Sequence, residues 1–481
     1  MSSSFHSIRA LPLLVCFSTG ILGCASTPAT NGTDAGATAD TSVPIADVSV
    51  PVADANLPVS GIVMISTATP TTRPTSGFGT SYWSWVPAWG NPVAGTESQV
   101  LALGPVVMRI GGYNNDANTP AAFDNTQIDL AIAYARAISA EPILQVPLLA
   151  ADPAGTPATA DTAAAMVTYA NITKGYGIKY FSVGNEPDIY PDATGTTKGI
   201  AGYTPAAFCT SATAYVAAMK AADPTIQILG PELSWKYQTG TNDWLTPILQ
   251  TCGALFDIVT IHRYPIDPAQ TTIANAASDA AKLKGVIAHV RSIMDSAGVG
   301  NKPLAITEAN ITWDGTPAKS TMPASPGTVP AGLWAADIFG VGLQSGLWAT
   351  IFWSTCESWT LGLFAPPPPS GQPQPAYFAF DLYAAHFGPT LLTVSSTPDG
   401  VHAYASRNQT DTGTQLMVVN WNSATATLAF NVDGQLTPAS FVIPALSMAA
   451  IDIPDVGAAS ALVYGEPQHQ ASLPPQPLAA P

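Results

Sequence analysis

Basic residues are scarce in this chain. Of 481 residues, 16 are Lys or Arg and 32 are Asp or Glu, for a formal net charge of −16. A chain of that sign repels phosphate backbones and anionic lipid surfaces, so nucleic acid is discounted as a partner. An anionic polysaccharide is not excluded, because one local cation can override a global field. Charge of either sign is low, at 10% of residues, and 47% are hydrophobic. The surface is therefore coated with Ser, Thr, Asn and Gly, and there is ample apolar material for a large core. Cysteine is also sparse, with Cys16, Cys24, Cys209, Cys252 and Cys356 the full set. Five cysteines are too few for a disulfide scaffold, and no spacing among them resembles a zinc site. No cofactor, metal or protein partner is implied. The apolar run Leu11–Leu22 is too short to span a bilayer as a helix.

That run has another reading. Arg9 precedes it and small residues end it, which is the pattern of a signal peptide. It closes in Ile21-Leu22-Gly23-Cys24, which resembles a bacterial lipobox, whose cysteine is lipidated and becomes the mature N-terminus. Residues 1–24 are thus expected to be a lipoprotein signal peptide. The chain would be exported and meet the membrane only through lipidated Cys24. Ala25 stands where an inner-membrane retention Asp would, which points to the outer membrane or cell surface. The alternatives are secretion with cleavage near Ala25, or a cytosolic chain with a chance apolar start. With Cys16 removed and Cys24 lipidated, three cysteines remain. Cys209 and Cys252 flank one expected strand and are the candidate disulfide pair, leaving Cys356 unpaired and buried.

Residues 25–58 are rich in Ala, Thr, Pro, Asp and Val and hold no aromatic residue, the composition of a flexible tether. Part of it, Ser49 to Val52, could instead add a strand to a C-terminal β domain. From residue 60 short apolar runs alternate with helical patterns, the rhythm of parallel βα units. The expected strands are 61–66, 106–110, 143–149, 178–183, 226–229, 257–262, 303–307 and 349–353. Most are rich in Val and Ile and lack polar alternation, as strands buried on both faces do. Asp124 and Thr204-Pro205 are helix-start signals, and 276–297 and 331–344 read as further helices. Eight strands with intervening helices over residues 59–388 fit a (β/α)8 TIM barrel, an α/β fold. From residue 389 to 456 strands follow one another without helices, with turns such as Pro398-Asp399-Gly400. This predicts a small antiparallel β-sandwich. Residues 457–481 are Ala- and Pro-rich and are expected to be a disordered tail.

Catalytic groups of such barrels stand at the C-terminal ends of the strands. There the sequence places Arg109-Ile110-Gly111-Gly112, Gly184-Asn185-Glu186-Pro187-Asp188, His262-Arg263-Tyr264, Thr307-Glu308 and Trp353. Two carboxylates, Glu186 and Glu308, thus meet at one rim from non-adjacent strands. Glycoside hydrolysis needs such a pair: one carboxyl protonates the leaving oxygen, and the other attacks the anomeric carbon or activates water. Arg109 and Tyr264 could keep the attacking group ionised by charge and hydrogen bonding.

Asn185-Glu186-Pro187 and Glu308 resemble clan A of the glycoside hydrolases, retaining (β/α)8 enzymes acting on equatorial glycosidic bonds. The resemblance spans about residues 60–388 and extends to the β-sandwich. It implies Glu186 as acid/base and Glu308 as nucleophile. It also implies that Asn185 hydrogen-bonds the sugar 2-hydroxyl and that Arg109 orients the nucleophile. His262 and Tyr264 match a His-x-Tyr pattern of the sixth strand, and Trp353 would be the sugar platform. The motifs at Arg109 and Gly184 look most like family 79, the β-glucuronidase and heparanase-like group, with families 39, 44, 30 and 51 close to it. Arg263 departs from the pattern. The expected function is hydrolysis of β-linked glycosides or polysaccharides by double displacement. The alternative is a surface carbohydrate-binding protein whose barrel does not turn over. A metal-dependent hydrolase would need clustered His and Asp at strand ends, where only His262 is available.

A structural reading stands beside each residue. Arg109 could be a plain ion pair, His262 a hydrogen-bonded core histidine, Tyr264 packing and Trp353 core filler. Glu232 reads as a solvated loop residue more than as a substrate contact. Tyr82, Trp83, Trp85 and Trp89 could line sugar subsites or pack over the barrel mouth. Lys236 and Arg263 are the candidates to receive a uronate.

Overall fold

The computed structural model describes residues 58–74, 77–82, 93–118, 124–152, 154–192, 199–237, 242–357, 360–365 and 371–479. The signal peptide, Cys24, the tether before residue 58, and Trp83, Trp85 and Trp89 lie outside them. Eight parallel strands close a barrel: β2 (Phe78–Tyr82), β3 (Val107–Ile110), β4 (Glu141–Val146), β5 (Tyr180–Val183), β6 (Gln227–Leu233), β7 (Ile258–Arg263), β8 (Leu304–Ala309) and β9 (Thr350–Phe352). Seven of the expected strands are found here within a few residues. The first is not.

The segment that reads as barrel strand one belongs to β1 (Val59–Thr72), which lies in a separate sheet. It pairs parallel with β13 (Ala426–Val432) and antiparallel with β10 (Thr390–Ser396). The reason is sidedness. Val63 and Ile65 bury one face in the core of that sheet, while Ile62 on the other face is 45% exposed. A barrel strand has no such wet face. The true first strand, Phe-Gly-Thr-Ser-Tyr, is half polar and is buried throughout.

Inside the barrel the period of two sorts the side chains into layers. Val107, Ile143, Tyr180, Leu229, Ile258, Ala305 and Ile351 form an apolar layer of their own. Their neighbours Met108, Leu144, Phe181, Val259 and Ile306 face the helices and join the main core. One pleat beyond the apolar layer stand Arg109, Gln145, Ser182, Thr260 and Thr307, all buried. The barrel is therefore packed at its base and polar towards its mouth.

The helices start where the sequence signals them. Asp124 Oδ1 accepts from the Gln127 amide at 3.0 Å, and Thr204 Oγ1 from the Ala207 amide at 3.2 Å with Pro205 in the first turn. These caps satisfy amides that have no partner within the helix. Cys209 and Cys252 form a disulfide between the helices Pro205–Ala222 and Leu245–Cys252, on either side of β6, and Cys356 is free and buried. No helix among the described residues is long and apolar enough to cross a membrane.

Beyond the barrel the chain adds β11 (Val401–Arg407), β12 (Gly413–Asn420), β14 (Gln435–Ile443), β15 (Ser447–Pro454), β16 (Ser460–Gly465) and β17 (Gln476–Leu478). With β1, β10 and β13 they make one nine-stranded, mostly antiparallel sheet. Phe441 near one edge and Val463 near the other share a single apolar core with Phe430, Leu416 and Ile451, so the sheet folds over on itself as a sandwich. The expected disordered tail is corrected here: β16 buries Val463 and Tyr464 against β15, and after a short helix, Glu466–Gln470, the chain returns to the sheet as β17. The expected sandwich at 389–456 is accordingly larger and draws on both ends of the barrel. Asp337, on the barrel helix Val329–Gln344, accepts from Tyr404 Oη (2.8 Å), Trp421 Nε1 (2.7 Å) and His402 Nδ1 (2.7 Å) of the sheet.

Candidate active site

The polar layer of the barrel carries a network of charges built on Arg109. Its guanidinium leaves β3 fully buried and reaches Glu308 Oε1 at 2.5 Å, Asn185 Oδ1 at 2.9 Å and Gln145 Oε1 at 3.3 Å. Glu232 Oε2 lies 3.4 Å away. Gln145 also accepts from the Gly112 amide at 2.6 Å. There is no space for a side chain at Gly111, where a Cβ would collide with Gln145. The pair of glycines after β3 thus lets Gln145 stand under Arg109.

His262, on β7, links the carboxylates from the other side. Its Nδ1 is 3.0 Å from Glu186 Oε1 and its Nε2 is 2.7 Å from Glu232 Oε2, with Glu308 Oε2 at 3.6 Å. Burial pulls the imidazole down, but Glu308, Glu186 and Glu232 more than offset it, and its pKa is raised to about 10. His262 is therefore an imidazolium at neutral pH, with both nitrogens donating to carboxylates. Glu186, His262 and Glu308 each bring one atom within 4.8 Å of the others, a spacing that could hold a metal ion.

Glu308 accepts from Tyr264 Oη at 2.7 Å in addition to Arg109. Burial raises its pKa above the ordinary carboxylate range, against the pull of His262, Arg109 and Tyr264. Two donors addressing its two oxygens are the arrangement a carboxylate accepts and a carboxylic acid does not. Glu186 follows β5 with φ 51°, and Glu232 sits in β6 with φ 58°. Both are left-handed positions that non-glycine residues avoid, and such residues concentrate at functional sites. The Glu186 amide donates to Glu232 O at 3.0 Å, which ties the two bends together. Asp188 accepts from the Ser234, Trp235 and Lys236 amides and so pins the loop after β6 beside Glu186.

Above this network opens a cleft of about 610 Å³. Glu186 and Glu308 face it together with Asn185 and Tyr264, and its walls carry Tyr113, Trp235, Trp313 and Trp353. Trp235 and Trp313 are 44% and 54% exposed, flat apolar faces open to solvent at the mouth. All seven residues expected from sequence, Arg109, Asn185, Glu186, His262, Tyr264, Glu308 and Trp353, are thus brought to one end of the barrel.

Other expectations are corrected. Glu232 is not a solvated loop residue: it is fully buried and also accepts from Thr307 Oγ1 at 2.7 Å. Its signal in the sequence was its place at the end of a strand, as for Glu308. Lys236 does not reach the cleft with a free charge, since its Nζ is held by Asp188 O (2.7 Å) and Asp192 Oδ2 (2.5 Å). Arg263 is paired with Asp279, a residue of the helix Ile273–Ser296, and the same carboxylate accepts from Trp334 Nε1 at 2.8 Å. It braces β7 against the helices, which accounts for its departure from the motif. Tyr82 is fully buried against Tyr134. Gln145 and Glu357, the latter on the loop after β9, went unread.

The chain matches no protein-family model and no curated protein in sequence. Its fold is similar to that of a family 51 α-L-arabinofuranosidase from Bifidobacterium longum, with a TM-score of 0.63 at 15% identity, covering 81% of this chain and 99% of that one. It is similar also to the α-L-arabinofuranosidase of Thermotoga maritima, with a TM-score of 0.60 at 16% identity, covering 84% and 99%. A Paenibacillus polymyxa xyloglucanase from glycoside hydrolase family 44 gives a TM-score of 0.60 at 13% identity, covering 82% and 100%. The fold is the one these glycoside hydrolases have. Each of these solved chains is covered almost end to end, so the barrel and the sheet are shared as one unit.

Proposed function

We propose that this chain is a retaining glycoside hydrolase acting on β-linked glycosides or polysaccharides, with Glu308 as nucleophile and Glu186 as acid/base. The observation that carries this is the approach of the two carboxyl groups, whose oxygens come within 4.8 Å of each other across the cleft. Retaining enzymes hold the pair about 5–5.5 Å apart, and inverting ones about 6.5–9.5 Å, to leave room for a water. In the first step Glu308 bonds to the anomeric carbon while Glu186 gives its proton to the departing oxygen. In the second, Glu186 takes a proton from water, which displaces Glu308 and releases the sugar with its original configuration. Arg109 and Tyr264 hold the attacking carboxylate in one orientation, which is the main service a preorganised site gives.

The test follows the anomeric proton of a hydrolysed glycoside by NMR in the first minutes. The first-formed sugar is expected to keep the substrate's configuration. Inverted product would overturn the assignment of Glu308, and binding without any turnover would leave a carbohydrate-binding barrel. At the family level, the motifs at Arg109 and Gly184 favour family 79. The similar solved structures are of families 51 and 44, which the same resemblance brings in.

We also propose export and a lipid anchor on Cys24, supported by Leu22-Gly23-Cys24 and by the Cys209–Cys252 disulfide, a bond that persists in oxidising compartments. In a bacterial host the protein is expected in the membrane fraction and Cys24→Ser in the soluble one. An unchanged distribution would sink the anchor.

A further inference from the structure

Glu357 takes no part in the displacement described above, yet it is the third glutamate of the cleft. It follows Trp353 by four residues, and Trp353 Nε1 donates to its Oε2 at 2.9 Å. The side chain is 5% exposed and lines the cleft beside Glu308 and Trp353. Trp353 is the one side chain bonded to it among the described residues. A carboxylate so placed would be a buried charge facing like charges, which is costly. Burial pushes the Glu357 carboxyl up, the Trp353 hydrogen bond opposes this, and Glu308 and Asp314 add to it, giving about 8. Tyr264 also faces Glu357 and carries no charge of its own, its phenol being raised well above the usual range by burial.

Among the described residues the cleft also has no free Lys or Arg to offer. Arg109 lies beneath Glu308 and spends its hydrogen bonds on Glu308, Asn185 and Gln145. Lys236 and Arg263 are bound to Asp192 and Asp279. No Lys or Arg lines the cleft among the described residues, whereas Glu186, Glu308, Glu357 and Asp267 do.

We propose that Glu357, buried at the cleft wall and steadied by Trp353, is a specificity-determining residue that hydrogen-bonds a hydroxyl of the sugar bound against Glu308, so that the site takes a neutral glycan and refuses a uronate-bearing one. This deepens the glycosidase reading and rests on it for the position of the sugar. A hydroxyl gives and takes hydrogen bonds with a carboxylic acid on equal terms. A uronate would shed its water beside Glu308, where among the described residues no Lys or Arg lines the cleft to receive it and the nearest cations, Arg109 and His262, are already paired with carboxylates.

The experiment is affinity electrophoresis of the full chain through gels carrying a neutral polysaccharide (arabinan, xyloglucan or a β-glucan) or an anionic one (polygalacturonate or hyaluronan). Wild type is expected to be retarded by a neutral glycan and by no anionic one. Glu357→Ala should bind the neutral glycan about tenfold more weakly, the worth of one hydrogen bond. Glu357→Gln, whose amide still donates, should recover most of that loss, a rescue that a charged carboxylate role would not show. Retardation by an anionic glycan, by no glycan at all, an Ala variant that binds like wild type, or a Gln variant as weak as Ala would each overturn the proposal. Turnover separates the two readings. A chain that binds a neutral glycan and hydrolyses none loses the glycosidase assignment and keeps this one. A chain that hydrolyses a uronide does the reverse.

Discussion

Glu308→Ala is expected to lower kcat on any hydrolysed glycoside by about 10⁴-fold or more, the scale on which loss of a catalytic nucleophile is felt. The side chain is the one carboxylate of the cleft held by both Arg109 and Tyr264. In the proposed double displacement no other described side chain is placed to form the glycosyl intermediate. The cavity left by the carboxylate admits a small anion such as azide, which can attack from the same side. Azide should therefore restore turnover and give a glycosyl azide of inverted configuration. Glu186→Ala should behave differently. Loss of general acid catalysis costs about 10²–10⁴-fold, and only when the leaving group needs its proton. Activity on a dinitrophenyl glycoside, whose leaving group needs none, should fall much less. Kinetics on two aryl glycosides of different leaving-group pKa distinguish the variants. A Glu308→Ala protein within tenfold of wild type would remove Glu308 from the chemistry.

Arg109→Met tests what holds the site together. Arg109 is fully buried, 2.5 Å from Glu308 and 3.4 Å from Glu232. Methionine fills much the same volume but leaves those two carboxylates with His262 as their nearest cation. Removing one partner of a buried ionic network costs about 3–5 kcal/mol, because the remaining charges lie uncompensated in a poor solvent. Chemical denaturation should show that loss, with the folded baseline unchanged. Activity should fall as well, since a carboxylate displaced by about 1 Å can lose about 10²-fold in rate. Arg109→Lys keeps the charge without the planar fork that reaches Glu308, Asn185 and Gln145 together. It should recover more of the stability than of the rate. A Met variant as stable as wild type would mean that Arg109 is a spectator.

Much of this site was legible before folding because barrel chemistry stands at strand ends. Asn185-Glu186 and Thr307-Glu308 close apolar runs, and Arg109 precedes a pair of glycines. Those are local signals, readable one strand at a time. Glu232 closes a strand too, yet its meaning depends on His262 and Thr307, 30 and 75 residues away, which bond its Oε2. The lack of a free Lys or Arg at the cleft among the described residues was equally hidden. Lys236 and Arg263 look free in the sequence and are bound by Asp192 and Asp279 in the fold.

By itself the sequence determined the alternation of strand and helix, the helix caps at Asp124 and Thr204, the pair of cysteines flanking β6, and the two glutamates at the barrel rim. Each follows from the periodicity or chemistry of a short stretch. Only the tertiary structure decided that residues 59–72 join β10 and β13 rather than the barrel, that the tail after residue 457 extends the sheet, and that Glu232 lies at the centre of the charge network. A buried apolar strand carries the same residues whichever sheet receives it, and a buried carboxylate is stable only beside partners that the chain brings from elsewhere.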